Sequence, residues 1–365
     1  MARKLKSDRV LFTAAVLLVG VSVVMVYSAS AVLALDRYGQ AYMFLIRQAM
    51  WTALGLAALA MAMRVDYRTY RNDVFIWSLI GAVCVLLVLV LFSAPVNGAR
   101  RWFNFGGLGI QPSEVAKITA VLFTALMLER RMHRIDELSY SLLPIAIVVG
   151  AMSALILLQP DLGTAASLLM VVGAMVFAAG LSYRYLAGTL IAAATVLYFL
   201  IASSPYRLRR LLAFLNPEAD PLGDGFQVMQ SLIAVGTGGV FGRGLMAGMQ
   251  KLFFLPEPHT DFIYAVIGEE LGLLGATTVL ACFAVIAWRG ARIAVRAHDP
   301  FGSFLALGVT AMIAVQALVN ISVVLGLLPT KGIPLPLVSS GGSSLLVSLL
   351  GVGVLLNVSQ HEETG

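Results

Sequence analysis

Apolar residues recur along the chain in long runs separated by short polar or charged stretches. Ten runs stand out: 10–34, 41–63, 74–93, 112–128, 141–160, 162–181, 187–203, 262–287, 301–327 and 343–359. At about 1.5 Å per residue, runs of this length cross or nearly cross a hydrocarbon core of about 30 Å. The run at 112–128 is long enough only if Glu114 and Lys117 are counted inside it. The expected fold is therefore all-α and polytopic, with about ten transmembrane helices in a single integral membrane domain, 1–365. The apolar run after MARKLKSDRV outlasts the h-region of a cleavable leader and reads as an uncleaved first span. One long segment, about 204–260, separates the seventh and eighth spans. Its middle, VMQSLIAVGTGGVFGRGL, is amphipathic and glycine-rich, which predicts short interfacial or re-entrant helices.

Composition agrees: 59% of residues are hydrophobic and 12% charged, more apolar surface than a soluble core could hide. The two cysteines, Cys84 and Cys282, lie inside apolar runs, and the four histidines are scattered, so neither a disulfide framework nor a histidine-built metal site is indicated. Lys and Arg set the orientation. With both termini cytoplasmic, the inner segments hold Arg3, Lys4, Lys6, Arg9, Arg64, Arg68, Arg71, Arg130, Arg131, Arg134, Arg184, Arg289, Arg292 and Arg296. That leaves a set of outer cations, Arg100, Arg101, Arg207, Arg209, Arg210, Arg243, Lys251 and Lys331, with Lys117 at the top of its span. They fit headgroup anchoring and a basin for an anionic lipid equally well.

Three stretches place ionisable or helix-breaking residues where a lipid-embedded chain should avoid them. In LPEPHTDFIYAVIGEELG, 255–272, Asp261 stands at the outer end of the eighth span. At 100° per residue, Tyr264, Gly268, Gly272 and Gly275 share its face, and a line of glycines admits another helix, so Asp261 faces protein. An N-cap role accounts for an aspartate there. Glu269 and Glu270, about 12 Å further along the axis, are expected to be paired groups supporting that helix. In NGARRWFNFGGLGIQPSEVAK, 97–117, Arg100 and Arg101 precede aromatics and a glycine turn, Pro112 opens a helix, and Glu114 and Lys117 form an i,i+3 pair that fixes packing. QPD, 159–161, reads as a tight turn with Asp161 capping the next helix. In GLLPTKGIPLPLVSSGGSSLL, 326–346, Pro329, Pro334, Pro336, Gly332, Gly341 and Gly342 forbid a continuous helix. Such backbone needs protein or water around it. Ser339, Ser340, Gly341 and Gly342 would then open the last span with free amide donors suited to anionic oxygens.

Together these stretches resemble the SEDS family (shape, elongation, division and sporulation), polytopic peptidoglycan polymerases that include RodA and FtsW. The matching segments are VYSAS at 26–30, NGARRW at 97–102, QPSE with Lys117 at 111–117, FLPEPHTDFIYAVIGEELGLLG at 254–275 and LPTKGIPLPLVSSGGSS at 328–344. They follow the family's order along nearly the whole chain. QKLFFLPEPHTDF, SLIAVGTGG and GLLPTKG look more like FtsW, with the sporulation members equally close, and RodA usually differs at the position of Lys331. Ser340 departs from the family's commoner tyrosine.

The resemblance implies a glycosyltransferase acting on lipid II at the outer face of the bacterial cytoplasmic membrane. It would join the anomeric carbon of a donor glycan to the 4-hydroxyl of an acceptor sugar, with undecaprenyl diphosphate leaving. It also implies Asp261 as the essential aspartate, and as partners a class B penicillin-binding protein transpeptidase and other divisome or elongasome membrane proteins. No nucleic acid is expected. The chemistry suits the residues: a hydroxyl needs a base within reach and a departing diphosphate needs cations. Arg101, Arg209, Arg210 and Lys251 are the first candidates for that charge; Arg100, Lys117, Lys331, Ser339, Gly341 and Gly342 are further ones. A divalent cation could bridge Asp261 and the diphosphate, although the sequence does not require one. Two other classes stay open. A lipid II transporter should carry paired inverted repeats with broken helices near the midplane, which the sequence does not display. A non-catalytic scaffold has no need of an outward cationic basin around a lone carboxylate.

Overall fold

The computed structural model describes residues 7–95, 99–105, 108–221, 223, 225–252 and 254–361. Arg3, Lys4 and Lys6, the Asn97–Gly98 pair of the arginine motif, and residues 362–365 lie outside the described residues. Twelve α-helices occur among them: α1 (Arg9–Tyr38), α2 (Met43–Arg64), α3 (Asp73–Leu89), α4 (Pro112–Arg131), α5 (Leu138–Leu158), α6 (Leu162–Ala178), α7 (Tyr183–Ala202), α8 (Pro205–Leu215), α9 (Phe226–Thr237), α10 (Ile263–Arg296), α11 (Pro300–Val324) and α12 (Gly342–Gln360). Strands β1 (Phe103–Phe105) and β2 (Leu108–Ile110) form a small antiparallel hairpin that pairs Phe103 with Ile110.

Each of the ten apolar runs falls on one of α1–α7 and α10–α12. Among the described residues seven helices are long and apolar enough to cross a membrane, and α6 is a shorter apolar helix. The chain is a multi-pass helical membrane protein. The long segment between α7 and α10 supplies α8 and α9, as its glycine-interrupted amphipathy predicts.

α4 is the central post. Almost every residue from Pro112 to Leu128 is buried, and α3, α5, α6, α11 and α12 pack around it. Its charges are internal: Lys117 Nζ lies 2.9 Å from Glu114 Oε1 and donates to Gln316 Oε1 of α11 at 2.5 Å. A buried pair with a third polar partner can be carried inside a bundle, whereas a lone charge could not. At one end of the bundle Asp8 caps α1, its backbone N–H donates to Ser359 Oγ at the end of α12, and Arg289 Nε of α10 donates to Asp8 Oδ2 at 2.6 Å. The start of the first helix and the end of the last therefore lie together, and Asp261 lies at the opposite end of α10.

α10 is broken. Gly272 adopts φ 66 and ψ −163, a conformation essentially reserved for glycine, so the regular 100° spacing assumed from the sequence stops there. Backbone groups freed at a break in lipid must find partners, and residues 239–244 supply them. Arg243 N–H donates to Glu269 C=O and Gly244 N–H to Glu270 C=O, both at 3.0 Å. Leu273 and Leu274 N–H donate to the carbonyls of Gly239 and Val240 at 2.9 and 3.2 Å. The Tyr264 hydroxyl straddles the break by donating to Ala276 C=O at 3.1 Å. This close approach leaves no space for a side chain: a β-carbon on Gly272 would stand 2.3 Å from Gly242 N. Gly272→Ala should therefore cost about 1–3 kcal/mol in backbone strain, with the clash in addition. The effect would appear as a lower apparent melting temperature in detergent. Gly20→Ala, whose methyl meets nothing within 4 Å, is the control; equal melting of the two variants would refute this account of the break.

Candidate active site

The site is built from two non-helical segments that clasp each other. The turn before α10 carries His259, Thr260 and Asp261, and the proline-rich segment between α11 and α12 carries Lys331 to Gly341. Ser340 N–H donates to His259 C=O at 2.9 Å, and the Ser339 hydroxyl donates to Thr260 C=O at 2.5 Å while accepting from Leu335 N–H at 2.7 Å. From α11, Asn320 Nδ2 donates to both Asp261 C=O at 2.8 Å and Ile333 C=O at 2.7 Å. One amide thus stitches the two segments together directly under the carboxylate. Gln316, one turn earlier on the same face, donates to Pro334 C=O at 2.9 Å.

The helix begins at Ile263 with Phe262 in the cap position, so Asp261 is not the N-cap that its place in the sequence suggests. No hydrogen bond to its carboxyl is found among the described residues, and its Oδ2 lies 3.0 Å from where a β-carbon on Gly332 would stand. Dense packing, seconded by the Glu257 carboxylate, pushes this carboxyl up to about 7 against the pull of Arg101 and Arg210, with Asp161 adding to the rise. Burial, with Arg37 nearby, takes the His259 ring down to about 4, so it is neutral near pH 7 and packs against Phe44 at 4.5 Å between centroids. A carboxylate that titrates near neutrality and has no internal donor is free to accept a proton. Turnover limited by that group should rise with pH and level off above about 7. A steady-state profile tests this, and a half-rise at the ordinary carboxylate range would contradict it.

Of the expected cations, Arg101, Arg210 and Lys331 gather here. Arg101 Nη1 lies 3.7 Å from Asp161 Oδ1, and Arg210 of α8 donates to Thr330 C=O at 3.2 Å. Burial and neighbouring Arg207 lower the Lys331 ammonium, and Asp161 opposes them. Arg209 is exposed on α8. Arg100 turns away and donates to Leu91 C=O at 3.0 Å, beyond the end of α3. Lys117 is committed to Glu114 and Gln316 in the bundle.

Lys251 is a correction. Expected among the diphosphate cations, it is buried with its Nζ 2.6 Å from Glu270 Oε1 and 2.9 Å from Ser28 Oγ, and Ser28 in turn donates to Glu270. A fully buried Glu270 needs that counter-ion, and the re-entrant segment delivers it. Glu269 accepts from Met249 N–H at 2.7 Å and Gln250 N–H at 3.2 Å, with Arg243 3.8 Å away. The two glutamates pin the re-entrant segment to the broken helix, not to each other. The free amides expected at Ser339–Gly342 are a second correction: the N–H groups of Ser339, Ser340 and Gly341 donate to Leu335, His259 and Ser339 carbonyls, and Gly342 packs against Trp51.

Sequence reasoning passed over Asn320, although an asparagine inside an apolar run, four residues from a glutamine, is a signal for a polar face turned inward. Among the described residues no group of three or more His, Cys, Asp or Glu side chains converges in a way that could hold a metal ion.

Residues 8–364 match the family described as cell cycle protein, which groups FtsW, RodA and SpoVE. The chain is 46% identical to the probable peptidoglycan glycosyltransferase FtsW of Geobacter metallireducens, covering 96% of this chain and 94% of that one. It is 43% identical to stage V sporulation protein E of Bacillus subtilis, over 98% of each. Among solved structures, one reported as "Structural coordination of polymerization and crosslinking by a peptidoglycan synthase complex" contains a chain with TM-score 0.81 and 34% identity, covering 99% of this chain and 100% of that one. The rod shape determining protein RodA of Thermus thermophilus gives TM-score 0.72 and 29% identity over 99% of each.

Proposed function

The chain belongs to the FtsW/RodA/SpoVE family, and from that premise we propose that it polymerises lipid II with Asp261 as general base and the neighbouring cations receiving the diphosphate. It is a peptidoglycan glycosyltransferase of cell division or elongation; the division role is the finer reading, supported by the FtsW relatives. The Asp261 carboxylate takes the proton of the acceptor 4-hydroxyl as that oxygen attacks the donor's anomeric carbon. The bond from that carbon to the diphosphate oxygen breaks, and its electron pair leaves with undecaprenyl diphosphate. Arg101, Arg210 and Lys331 offset the charge that collects there, guanidinium forks being well matched to phosphate oxygens. The observation that carries this reading is the placement of Asp261: partly exposed, without a hydrogen-bond donor among the described residues, and within the field of two guanidinium groups.

The end of the bundle that joins Asp8, Arg289 and Ser359 also carries Arg9, Arg64, Arg68, Arg71, Arg130 and Arg131, a Lys and Arg bias that supports a cytoplasmic placement of that end. Asp261 then faces the outer side of the bacterial cytoplasmic membrane. The relative from a complex coordinating polymerisation and crosslinking supports a class B penicillin-binding protein transpeptidase as partner, within a divisome or elongasome. A divalent ion held by Asp261 would take its other ligands from substrate and water and would supply charge to offset the departing diphosphate.

A lipid-moving reading gains from the broken α10, a feature that transporters use. In transporters, however, the groups freed at a break serve the cargo, whereas here residues 239–244 occupy them. Vesicles holding the full chain, its transpeptidase and fluorescent lipid II separate the two. Glycan strands without faster transbilayer exchange are expected; exchange without strands would refute the polymerase.

A further inference from the structure

We propose that Asp161 is a positioning residue for the reaction: its buried carboxylate holds the Arg101 guanidinium poised beside Asp261 and balances Lys331, until the substrate's diphosphate oxygens take both cations over. This rests on the polymerase reading above. The sequence gives Asp161 only the role of capping α6, and it does cap it: Thr164 N–H donates to Oδ1 at 3.1 Å and the Thr164 hydroxyl to Oδ2 at 2.8 Å. Capping does not call for a charge, however, because asparagine and serine cap as well as aspartate. A carboxylate that is only 3% exposed is the costlier choice.

Its surroundings show where the charge acts. Three neutral donors are fixed: the two from Thr164, and Gln111 Nε2 at 3.2 Å, whose residue is anchored by its own N–H to Ser343 Oγ of α12. The fourth contact is loose. Arg101 Nη1 stands 3.7 Å from Oδ1, beyond hydrogen-bonding distance, and its side chain is 28% exposed. A guanidinium held by charge but not by a formed bond can turn to a phosphate and gain a forked, charge-assisted contact. The carboxylate it leaves keeps its three fixed donors. Lys331 belongs to the same unit, because the segment that carries it is locked to the start of α6: a β-carbon on Gly163 would meet Ile333 at 3.0 Å. Asp161 acts on the field of Lys331 and of Asp261 alike. Among the described residues, the charged groups that act on Asp261 are Glu257 from its own turn, Arg101 from the segment before β1, Arg210 from α8 and Asp161 from the start of α6, and Lys331 is carried next to Gly332, where a β-carbon would stand 3.0 Å from Asp261 Oδ2.

The test uses Asp161→Asn and Asp161→Ser, which remove the charge and keep a capping side chain, in the full chain with its transpeptidase and lipid II. The expected result is a KM raised by about tenfold or more, with the acid limb of kcat/KM moved to lower pH because a negative neighbour of Asp261 is gone. Thr164→Val, which keeps the capping N–H and the charge but takes one neutral donor from the carboxylate, should move KM and the limb far less than either Asp161 variant. Arg101→Gln combined with Asp161→Asn should raise KM no further than Arg101→Gln alone. Wild-type KM and an unmoved limb in both Asp161 variants would overturn the proposal, and so would loss of folded protein in both, which would assign the carboxylate to the fold. Failure of the polymerase reading looks different: the wild type would form no strands, or Asp261→Asn would form them.

Discussion

Asp261→Asn is expected to lower glycan polymerisation by about 10²–10⁴-fold, the usual worth of a positioned general base, while the protein stays folded. The fold does not need this carboxyl. The contacts that fix the turn run through backbone carbonyls, with His259 C=O bound by Ser340, Thr260 C=O by Ser339 and Asp261 C=O by Asn320. Asparagine preserves all three. The fold even carries the charge at a cost. The carboxyl's folded value of about 7 lies above its ordinary 3.8, so between those values the native state holds a proton that the unfolded chain releases. Stability from this group is complete below the lower value and is lost as pH rises through about 7. Asp261→Asn should therefore melt no lower than wild type at neutral pH, and higher above it. Polymer yield and melting temperature measured on one preparation decide the matter. Retained polymerisation would remove Asp261 from the chemistry; a large drop in melting temperature would make it structural.

The second large effect concerns stability. Glu270→Ala should destabilise the protein by about 3–5 kcal/mol, the range for breaking a buried ion pair from one side. The Lys251 ammonium would remain buried with Ser28 Oγ as its one remaining hydrogen-bond partner among the described residues, and Met246 N–H would lose the Glu270 carboxylate that accepts it at 3.0 Å. The double change Lys251→Met with Glu270→Leu removes both charges and should recover much of that loss. Lys251→Met alone should melt early yet keep turnover per folded molecule near wild type, because its ammonium serves the broken helix and not the diphosphate. Denaturation in detergent combined with activity normalised to folded protein checks both outcomes. A Lys251 variant with full stability and lost turnover would reverse the assignment.

The helices were legible because lipid imposes a length and a polarity that survive in any one sequence. Even α4 announced itself, since Glu114 and Lys117 at i,i+3 can neutralise each other inside a span. The break at Gly272 was not legible. After Glu269 and Glu270 the apolar run resumes at Leu271 and continues through Gly272, and a glycine in such a run reads equally as a packing contact. Lys251 was misplaced for a related reason: in sequence it lies in an outer loop, and only the dip of residues 239–251 brings it to Glu270. That dip also explains the VYSAS stretch, where Ser28 sits between Lys251 and Glu270. Asp261 could be picked out as the carboxylate nearest the outer end of its helix. Arg101, Arg210 and Lys331 could be named among several candidate cations, but neither their meeting at Asp261 nor the part of Asp161 could be read, because the four come from separate segments that meet only in the fold.

A single-turnover experiment tests the central claim most directly: labelled lipid II is mixed with an excess of wild-type or Asp261→Asn protein bound to its transpeptidase. Capture of substrate and the first new glycosidic linkage are followed in the same sample. The account predicts that the variant captures lipid II as wild type does and forms no linkage on the wild-type timescale. Linkage formed at the wild-type rate would contradict it.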